Sequence, residues 1–524
     1  MAASFLRYNG EKQGLERQMK KDIFATGTPE SAGVPSDAVE WLLDQLESGF
    51  TEPHGIMIMR NDILCAQGWW APFAPGIRHG EQSHSKTYSA TAIGIAYTQG
   101  KLSLDERLID IFPEEAPENP SEYLKKLTIR NVLCMGSGMR EEPKASEHWI
   151  RDFLSMPVVD EPGTAFMYNT TGSSMLAAIV KKKTGMGMHE FLMENLYQKI
   201  GIDGANHKWI RTSDGIETGG AGLFATLEDN FRLMKLYMNG GIWNGERILA
   251  EDFVRAAVSK QIDTASEAKV NPPATDNFQG YGYQIWMCQP EGVYRADGAM
   301  GQFTVVVPDK NMEIAIMENA SGAHWAQKTL DVLWEFLEKI PSETSLKEEP
   351  EKAERLQRRL KSLSLPAPEF RPCGSASGKL YGRRLHFAEP LRLDAYGLLQ
   401  GCSDAIGEIL VTDLLITKTE DPMTLRMKLF VENSADQNGS AEQDILVGLD
   451  GMWRESHLAT GILDRLLAAA YWSKESCLEL SLRWIETCGA ETLRLEVAED
   501  GVTADLTGTL AFHDDQRNIK GYFA

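Results

Sequence analysis

Ser83-His84-Ser85-Lys86 places a nucleophile and a candidate base three residues apart, a spacing suited to acyl transfer. Residues at i and i+3 share one helix face, so the Lys86 amine can reach the Ser83 hydroxyl if a helix begins there. Burial lowers the pKa of a lysine, and a neutral amine can accept the serine proton. At a helix N-terminus, Ser83 would also offer its backbone N–H to an oxyanion. The spacing predicts catalysis through an acylated Ser83.

The residues around this string support a catalytic role more strongly than the four-residue match does by itself. About one or two S-x-x-K strings are expected by chance in a chain of this length and composition. Here the string opens residues 83–99, a segment of helical length. Its apolar or small residues lie all round the helix, as is typical of a buried central helix; they are Ala90, Ala92, Ile93, Gly94, Ile95 and Ala96. An unpaired buried lysine is costly, so Lys86 needs a partner or a role. The alternative is that its amine extends to solvent.

Several further elements are predicted around this helix. Residues 54–70 form two β-rich runs around the turn pair Asn61-Asp62 and predict a hairpin. Thr128 begins a second helix, and a third runs through Ser173 to Lys183, with cations in its last turn and Gly185 after it. Residues 219–239 predict a glycine-rich turn followed by an amphipathic helix.

The character of the sequence changes after Asn319. Residues 329–338 predict a helix, and residues 341–372 form a charged connector punctuated by prolines. Beyond it, alternating runs separated by turn residues predict an antiparallel sheet or barrel; they are 408–417, 424–431, 477–484, 492–497 and 503–510. The chain of 524 residues suits more than one domain. We predict an α/β domain over residues 1–340, a linker over 341–372 and a β-rich domain over 373–524.

Five collinear segments between residues 28 and 322 resemble the class C β-lactamases and their esterase and D-peptidase relatives. They include SHSKTYSATAIGIAYTQG, LTIRNVLCMGSGM, EPGTAFMYNTTGSS, GGAGLFATLEDN and YRADGAMGQFTVVV. The resemblance implies an α/β (α+β) domain in which an antiparallel sheet is flanked by a helical subdomain. The C-terminal region resembles, much more weakly, the barrel-like lipocalin-like domain of some family members. For that region, a packing or oligomerisation module is favoured over a ligand-binding one.

The resemblance assigns roles to particular residues. Ser83 and Lys86 fit the family's S-x-x-K motif, and Tyr168 fits the tyrosine of its Y-x-N motif, a phenol that can relay a proton. Thr170 stands where that motif has asparagine, so the amide is missing. The third motif, normally Lys or His followed by any residue and Gly, is represented by Ala296-Asp297-Gly298.

Two consequences follow from the altered third motif. Because a backbone donor survives side-chain substitution, the N–H of Ala299 is expected to join that of Ser83 in an oxyanion hole. The substrate-binding positions are then Thr170, Ala296, Asp297 and Gly298. Recognition of a substrate carboxylate is in doubt, because the cation of the motif is absent.

Other classes of function are disfavoured by composition. The formal net charge is −22, which argues against a nucleic-acid or anionic-membrane partner. The seven cysteines form no C-x-x-C pair, and no H-E-x-x-H string is present, so neither a disulfide framework nor a metal site is expected. Met1 to Gly27 lacks an apolar segment, and the protein is interpreted as cytoplasmic. His84 is disfavoured as a catalytic group because its side chain points away from that of Ser83, and His148, His189 and His207 are interpreted as surface residues.

The leading hypothesis is a serine hydrolase that cleaves a small ester, amide or short peptide without a cofactor. Such an enzyme would be an esterase, amidase or D-aminopeptidase-like protein with weak β-lactamase activity at most, and it could form a homo-oligomer. The alternative is a non-catalytic, penicillin-binding-like ligand-binding or sensor protein. The departures at Thr170 and Ala296 favour that alternative slightly, whereas the presence of Ser83, Lys86 and Tyr168 together favours the enzyme.

Overall fold

A computed structural model describes residues 24–144, 146–320, 326–393, 409–432, 442–458, 463, 465–510 and 513–524. The predicted fold class is confirmed: an α/β domain is followed by an all-β barrel. Most of the N-terminal segment discussed above, residues 1–23, and Cys402 lie outside the described residues.

A seven-stranded sheet forms the centre of the first domain. It is antiparallel except for its first edge strand, which runs parallel to its neighbour. In spatial order the strands are Ala25–Thr26, Ile63–Trp69, Thr51–Arg60, Met312–Ala320, Gln302–Val307, Tyr294–Gly298 and Trp286–Met287. The predicted hairpin is confirmed, and its turn residues Asn61 and Asp62 have φ of 54° and 63°, as a tight two-residue hairpin turn requires.

Alternation along the central strands sends side chains to two different layers. Ile56 and Ile58 face a core shared with the helices Ser36–Leu46 and Gln327–Glu338. Met57 and Met59 face the opposite side and pack with residues of the helix Leu227–Met238. The sheet is therefore buried on both faces.

The chain between residues 85 and 285 supplies the helical part of this domain. Its α-helices are Ser85–Thr98, Leu108–Ile111, Ile129–Leu133, Trp149–Ser155, Thr170–Thr184, Met188–Leu192, Gln198–Ile200, Leu227–Met238, Glu251–Ala257 and Glu267–Val270. Thr128 caps the short helix that it was predicted to begin, since its hydroxyl accepts from the backbone of Asn131. The predicted central helix is buried over residues 85–96, and Gly94 is needed there because a Cβ would lie 2.5 Å from the ring of Phe253.

A barrel follows the first domain. Its strands in spatial order are Glu442–Gly448, Thr424–Val431, Ile409–Lys418, Arg384–Leu393, Gln516–Phe523, Gly501–Gly508, Ala490–Val497, Cys477–Trp484, Arg465–Lys474 and Arg454–His457. Pairing of Gly448 with Ala469 closes the sheet. Trp472, Trp484 and Met427 are buried among apolar side chains, so the interior is a packed core. Resemblance to lipocalins in particular stays a prediction.

The barrel and the connector both pack against the first domain. Arg483 of the barrel binds both carboxylate oxygens of Glu52, at 2.6 and 3.0 Å. The connector contains the helix Pro350–Lys361, whose Arg355 binds Glu40 on the first helix of the sheet domain. The domain limits at residues 340 and 373 stay predictions.

Within the described ranges, no helix is long and apolar enough to cross a bilayer. The six cysteines in the same ranges are free thiols.

Candidate active site

Ser83 lies in a short 3₁₀ turn, Gln82–His84, which leads directly into the central helix Ser85–Thr98. The residue before it, Gln82, has a left-handed φ of 50°, an unfavourable conformation for a residue with a side chain. The turn retains the helical relation between residues 83 and 86. The Lys86 amine consequently lies 2.9 Å from the Ser83 hydroxyl oxygen.

Lys86 is buried, with 1% of its surface exposed, and its amine has three oxygen partners. Besides Ser83, these are the Gly220 carbonyl at 2.6 Å and the Thr170 hydroxyl at 3.4 Å. Burial lowers the pKa of Lys86 to about 7, against the opposing influence of Glu142 and Asp297. A substantial fraction of the amine is therefore neutral at physiological pH.

Tyr168 completes a group of three around the serine hydroxyl. Its side chain is close enough to Ser83 to interact with it, and its ring centroid lies 4.7 Å from the Lys86 amine nitrogen. The ring stacks on Trp286 with a centroid separation of 5.7 Å, which fixes its orientation. Burial raises the pKa of Tyr168 well above its usual range, so the phenol stays protonated near neutral pH.

The helix Thr170–Thr184 begins at the site and is held there by two neighbours. Asn169 caps the helix through the backbone N–H of Gly172, and it is the next residue, Thr170, that contacts Lys86. The Glu142 carboxylate accepts from the N–H groups of Thr170 and Thr171, both at 2.8 Å. Gly220 approaches so closely that a Cβ would lie 2.3 Å from the Thr170 carbonyl.

The strand Tyr294–Gly298 lies alongside the turn that carries Ser83. A Cβ on Gly298 would come within 2.2 Å of the Glu81 carbonyl, so only glycine permits this approach. Within the part of the chain that the structure describes, no protein acceptor takes up the N–H of Ser83 or of Ala299. Both amides are thus free to donate to an oxyanion.

The side chains of the third motif divide between two faces of the strand. Ala296 is fully buried in the core of the helical part. Arg295 and Asp297 share the other face and form an ion pair at 2.8 Å. Arg295 is itself buried and also binds Asn277 at 2.6 Å, while Asp297 influences the pKa of both Lys86 and Tyr168. The third motif therefore places the Asp297 carboxyl group at the site. The nearby Arg295 guanidinium is already bound to Asp297 and Asn277.

The histidines lie apart from this chemistry. His84 is buried and binds the Thr304 hydroxyl at 3.0 Å, and burial lowers its pKa to about 3. The prediction that His207 lies on the surface is wrong: its side chain is buried because it packs against the rings of Tyr88 and Tyr197. Its Nε2 atom lies 3.1 Å from a carboxylate oxygen of Asp229. Among the described residues, no set of three or more His, Cys, Asp or Glu side chains could hold a metal ion.

Sequence reasoning missed two contributors to the site: Glu142 and the carbonyl of Gly220. Gly220 belongs to a conspicuous glycine run, which was a usable signal for close backbone approach. Glu142 carries no comparable local signal, because its role depends on a contact with a segment 28 residues further along the chain.

One known protein family and several known proteins are similar to this chain. The family described as Beta-lactamase matches residues 55–334, which is more than half of the chain. The chain belongs to the beta-lactamase family. A 6-aminohexanoate-dimer hydrolase of Paenarthrobacter ureafaciens is 24% identical over 283 residues, covering 50% of this chain and 71% of that protein. An N-acetylmuramyl-L-alanine amidase of Bacillus subtilis is 21% identical over 306 residues, covering 45% of this chain and 66% of its own.

Among solved structures, the octameric penicillin-binding protein homologue of Pyrococcus abyssi is similar to this family member over both domains. It is 15% identical, with a TM-score of 0.45, and the match covers 93% of this chain and 99% of that one. The family match itself ends at residue 334 and leaves the barrel outside it.

Proposed function

We propose that this member of the beta-lactamase family is a serine hydrolase that cleaves a small ester or amide through an acyl-Ser83 intermediate. The contact that carries the proposal is the 2.9 Å hydrogen bond between the buried Lys86 amine and the Ser83 hydroxyl. A lysine with a pKa of about 7 beside a serine is suited to take the serine proton at neutral pH.

Lys86 and Tyr168 carry out the proton transfers, Lys86 as the base and Tyr168 as the acid. The neutral Lys86 amine accepts the Ser83 proton as Oγ attacks the substrate carbonyl, and the N–H groups of Ser83 and Ala299 stabilise the oxyanion. The protonated Tyr168 phenol donates to the leaving alcohol or amine and is reprotonated from the Lys86 ammonium. Water then attacks the acyl carbon and gives one proton to the neutral Lys86 amine. The Lys86 ammonium passes that proton to Ser83 Oγ as the acyl–oxygen bond breaks and the carboxylic acid leaves.

The alternative function is a binding or sensor protein that retains an acyl group without turnover. Loss of the amide at Thr170 and of the cation at Ala296 supports it. The two functions differ in one measurement, the time course of product release from p-nitrophenyl acetate. A hydrolase gives sustained release, whereas a sensor releases one equivalent per chain and stops.

The pH dependence of the rate tests the assignment of Lys86 as base. Because only the neutral amine accepts a proton, kcat/KM should rise with pH through about 7, the pKa of Lys86. Glu142 raises that pKa by stabilising the ammonium. Glu142→Gln should therefore move the rising limb to lower pH, as measured in a pH–rate profile with p-nitrophenyl acetate.

Glu141→Gln is the matched control for this prediction. Glu141 is an exposed neighbour of the same charge, and it is not among the groups that influence Lys86. This variant should keep the wild-type midpoint. A midpoint that moves to higher pH in Glu142→Gln, or does not move at all, contradicts the assignment.

The charge of the third motif predicts substrate preference. A β-lactam carboxylate would meet Asp297 and an arginine already bound to Asp297 and Asn277. A lost charge-assisted hydrogen bond costs about 1.5–3 kcal/mol, or roughly 10- to 150-fold in affinity. Nitrocefin should therefore be a poorer substrate, by kcat/KM, than p-nitrophenyl acetate or butyrate or a D-amino-acid amide.

Asp297→Asn provides the internal check on this preference. Removing the negative charge should raise kcat/KM for nitrocefin relative to that for p-nitrophenyl acetate, because the acetate ester carries no charge to repel. Wild-type protein that turns over nitrocefin faster than every ester and amide would overturn the predicted preference.

A further inference from the structure

The loop 485–489 of the barrel contacts both segments that would hold the reacting groups. It joins the strands Cys477–Trp484 and Ala490–Val497, and its residues Ile485 to Cys488 are at most 1% exposed. A surface hairpin turn of a separate domain has no need of such burial. We call residues 485–489 the barrel loop.

One contact of the barrel loop is with the segment that leads to Ser83. The Glu486 carbonyl accepts from the N–H of Gly80 at 2.8 Å, and the Glu486 carboxylate pairs with Arg78. Gly80 precedes Gln82, whose left-handed φ of 50° needs support from its surroundings. The loop is therefore attached to the chain three residues before the nucleophile.

The second contact is with the oxyanion segment. Cys488 forms an apolar cluster with Met300 and with Leu510, which follows the barrel strand Gly501–Gly508, and Ala299 packs against that cluster. Met300 has a left-handed φ of 64°, and its side chain is 1% exposed. This conformation is unfavourable for a residue with a side chain, and it persists only where the surrounding packing enforces it. A hydrogen bond of 3.0 Å from Asn319 to Thr509 joins the same two regions.

Through these two contacts the buried barrel loop lies between two segments that each contain a residue with left-handed φ, Gln82 and Met300. We infer that the barrel loop, with Leu510, is a positioning element that sets the separation between Ser83 and the Ala299 N–H. The inference rests on the proposed function. An oxyanion donor must lie within hydrogen-bond distance of where the oxyanion forms, so a small displacement of Met300 weakens transition-state stabilisation more than substrate binding.

Leu510→Ala tests the inference in the full-length chain. Complete loss of an oxyanion donor costs about 10²–10³ in kcat, so partial displacement should lower kcat by at least about tenfold. KM for p-nitrophenyl acetate should stay within about twofold of the wild-type value. A fluorophosphonate should still label one Ser83 per chain, but more slowly. Leu510→Val, which removes less volume, should show the same pattern more weakly if Leu510→Ala does not fold.

Leu480→Ala is the matched control. Leu480 is fully buried within the barrel core and belongs to the barrel's own apolar cluster. Its truncation should lower Tm by as much as Leu510→Ala or more, yet leave kcat unchanged. The inference fails if both folded variants keep wild-type kcat, or if both lose kcat in proportion to Tm. The proposed function fails separately, if wild-type protein is not labelled at Ser83, and the inference then fails with it.

Discussion

Ser83→Ala should abolish both covalent labelling by a fluorophosphonate and turnover of p-nitrophenyl acetate, with a loss in kcat of at least about 10⁴-fold. The Ser83 hydroxyl is the atom on which the Lys86 amine and the Tyr168 phenol converge. Its removal leaves water as the nucleophile, and the remaining oxyanion donors supply only residual acceleration. The protein should still fold, because Ser83 is partly exposed and the central helix begins after it.

The measurement is intact-mass analysis followed by peptide mapping, with kinetics on the same sample. Ser266→Ala is a suitable control, since Ser266 is exposed and makes no capping hydrogen bond. This variant should label and turn over as wild-type protein does. An adduct mapped to another residue, or activity retained by Ser83→Ala, would remove Ser83 from the mechanism.

Lys86→Ala and Tyr168→Phe should each reduce kcat by at least about 10²-fold, the usual range for lost acid–base assistance. The pH dependence separates their roles. Lys86→Ala should lose the rise in kcat/KM near pH 7, because the group that titrates there is gone. Tyr168→Phe should keep that rise, since the phenol remains protonated across the same range.

Lys86→Met controls for the cavity that alanine would leave at a fully buried position, because methionine fills a similar volume without an amine. It should be folded and as inactive as Lys86→Ala. A rate close to wild type in either Lys86 variant would exclude Lys86 as the base. A near-wild-type rate in Tyr168→Phe would instead assign the leaving-group proton to another donor.

Local patterns in the sequence predicted much of the fold. The hairpin around Asn61-Asp62 followed from turn chemistry, and the strands Thr424–Val431 and Cys477–Trp484 have the predicted bounds. The strand Arg465–Lys474 was not predicted, because its alanine run (RLLAAAYWSK) lacks a clear alternation of polar and apolar residues. Its conformation is set by pairing with Cys477–Trp484 rather than by local preference.

The sequence by itself determined the relation between Ser83 and Lys86, because a spacing of three residues places both side chains on the same side of a helical segment, and the 3₁₀ turn before the helix keeps that relation. Only the tertiary structure decided which other groups lie next to Ser83 and Lys86. Gly220 lies 134 residues from Lys86 in sequence, and the barrel loop lies roughly 400 residues from Gly80. Such contacts arise from packing between distant segments, which no local spacing specifies.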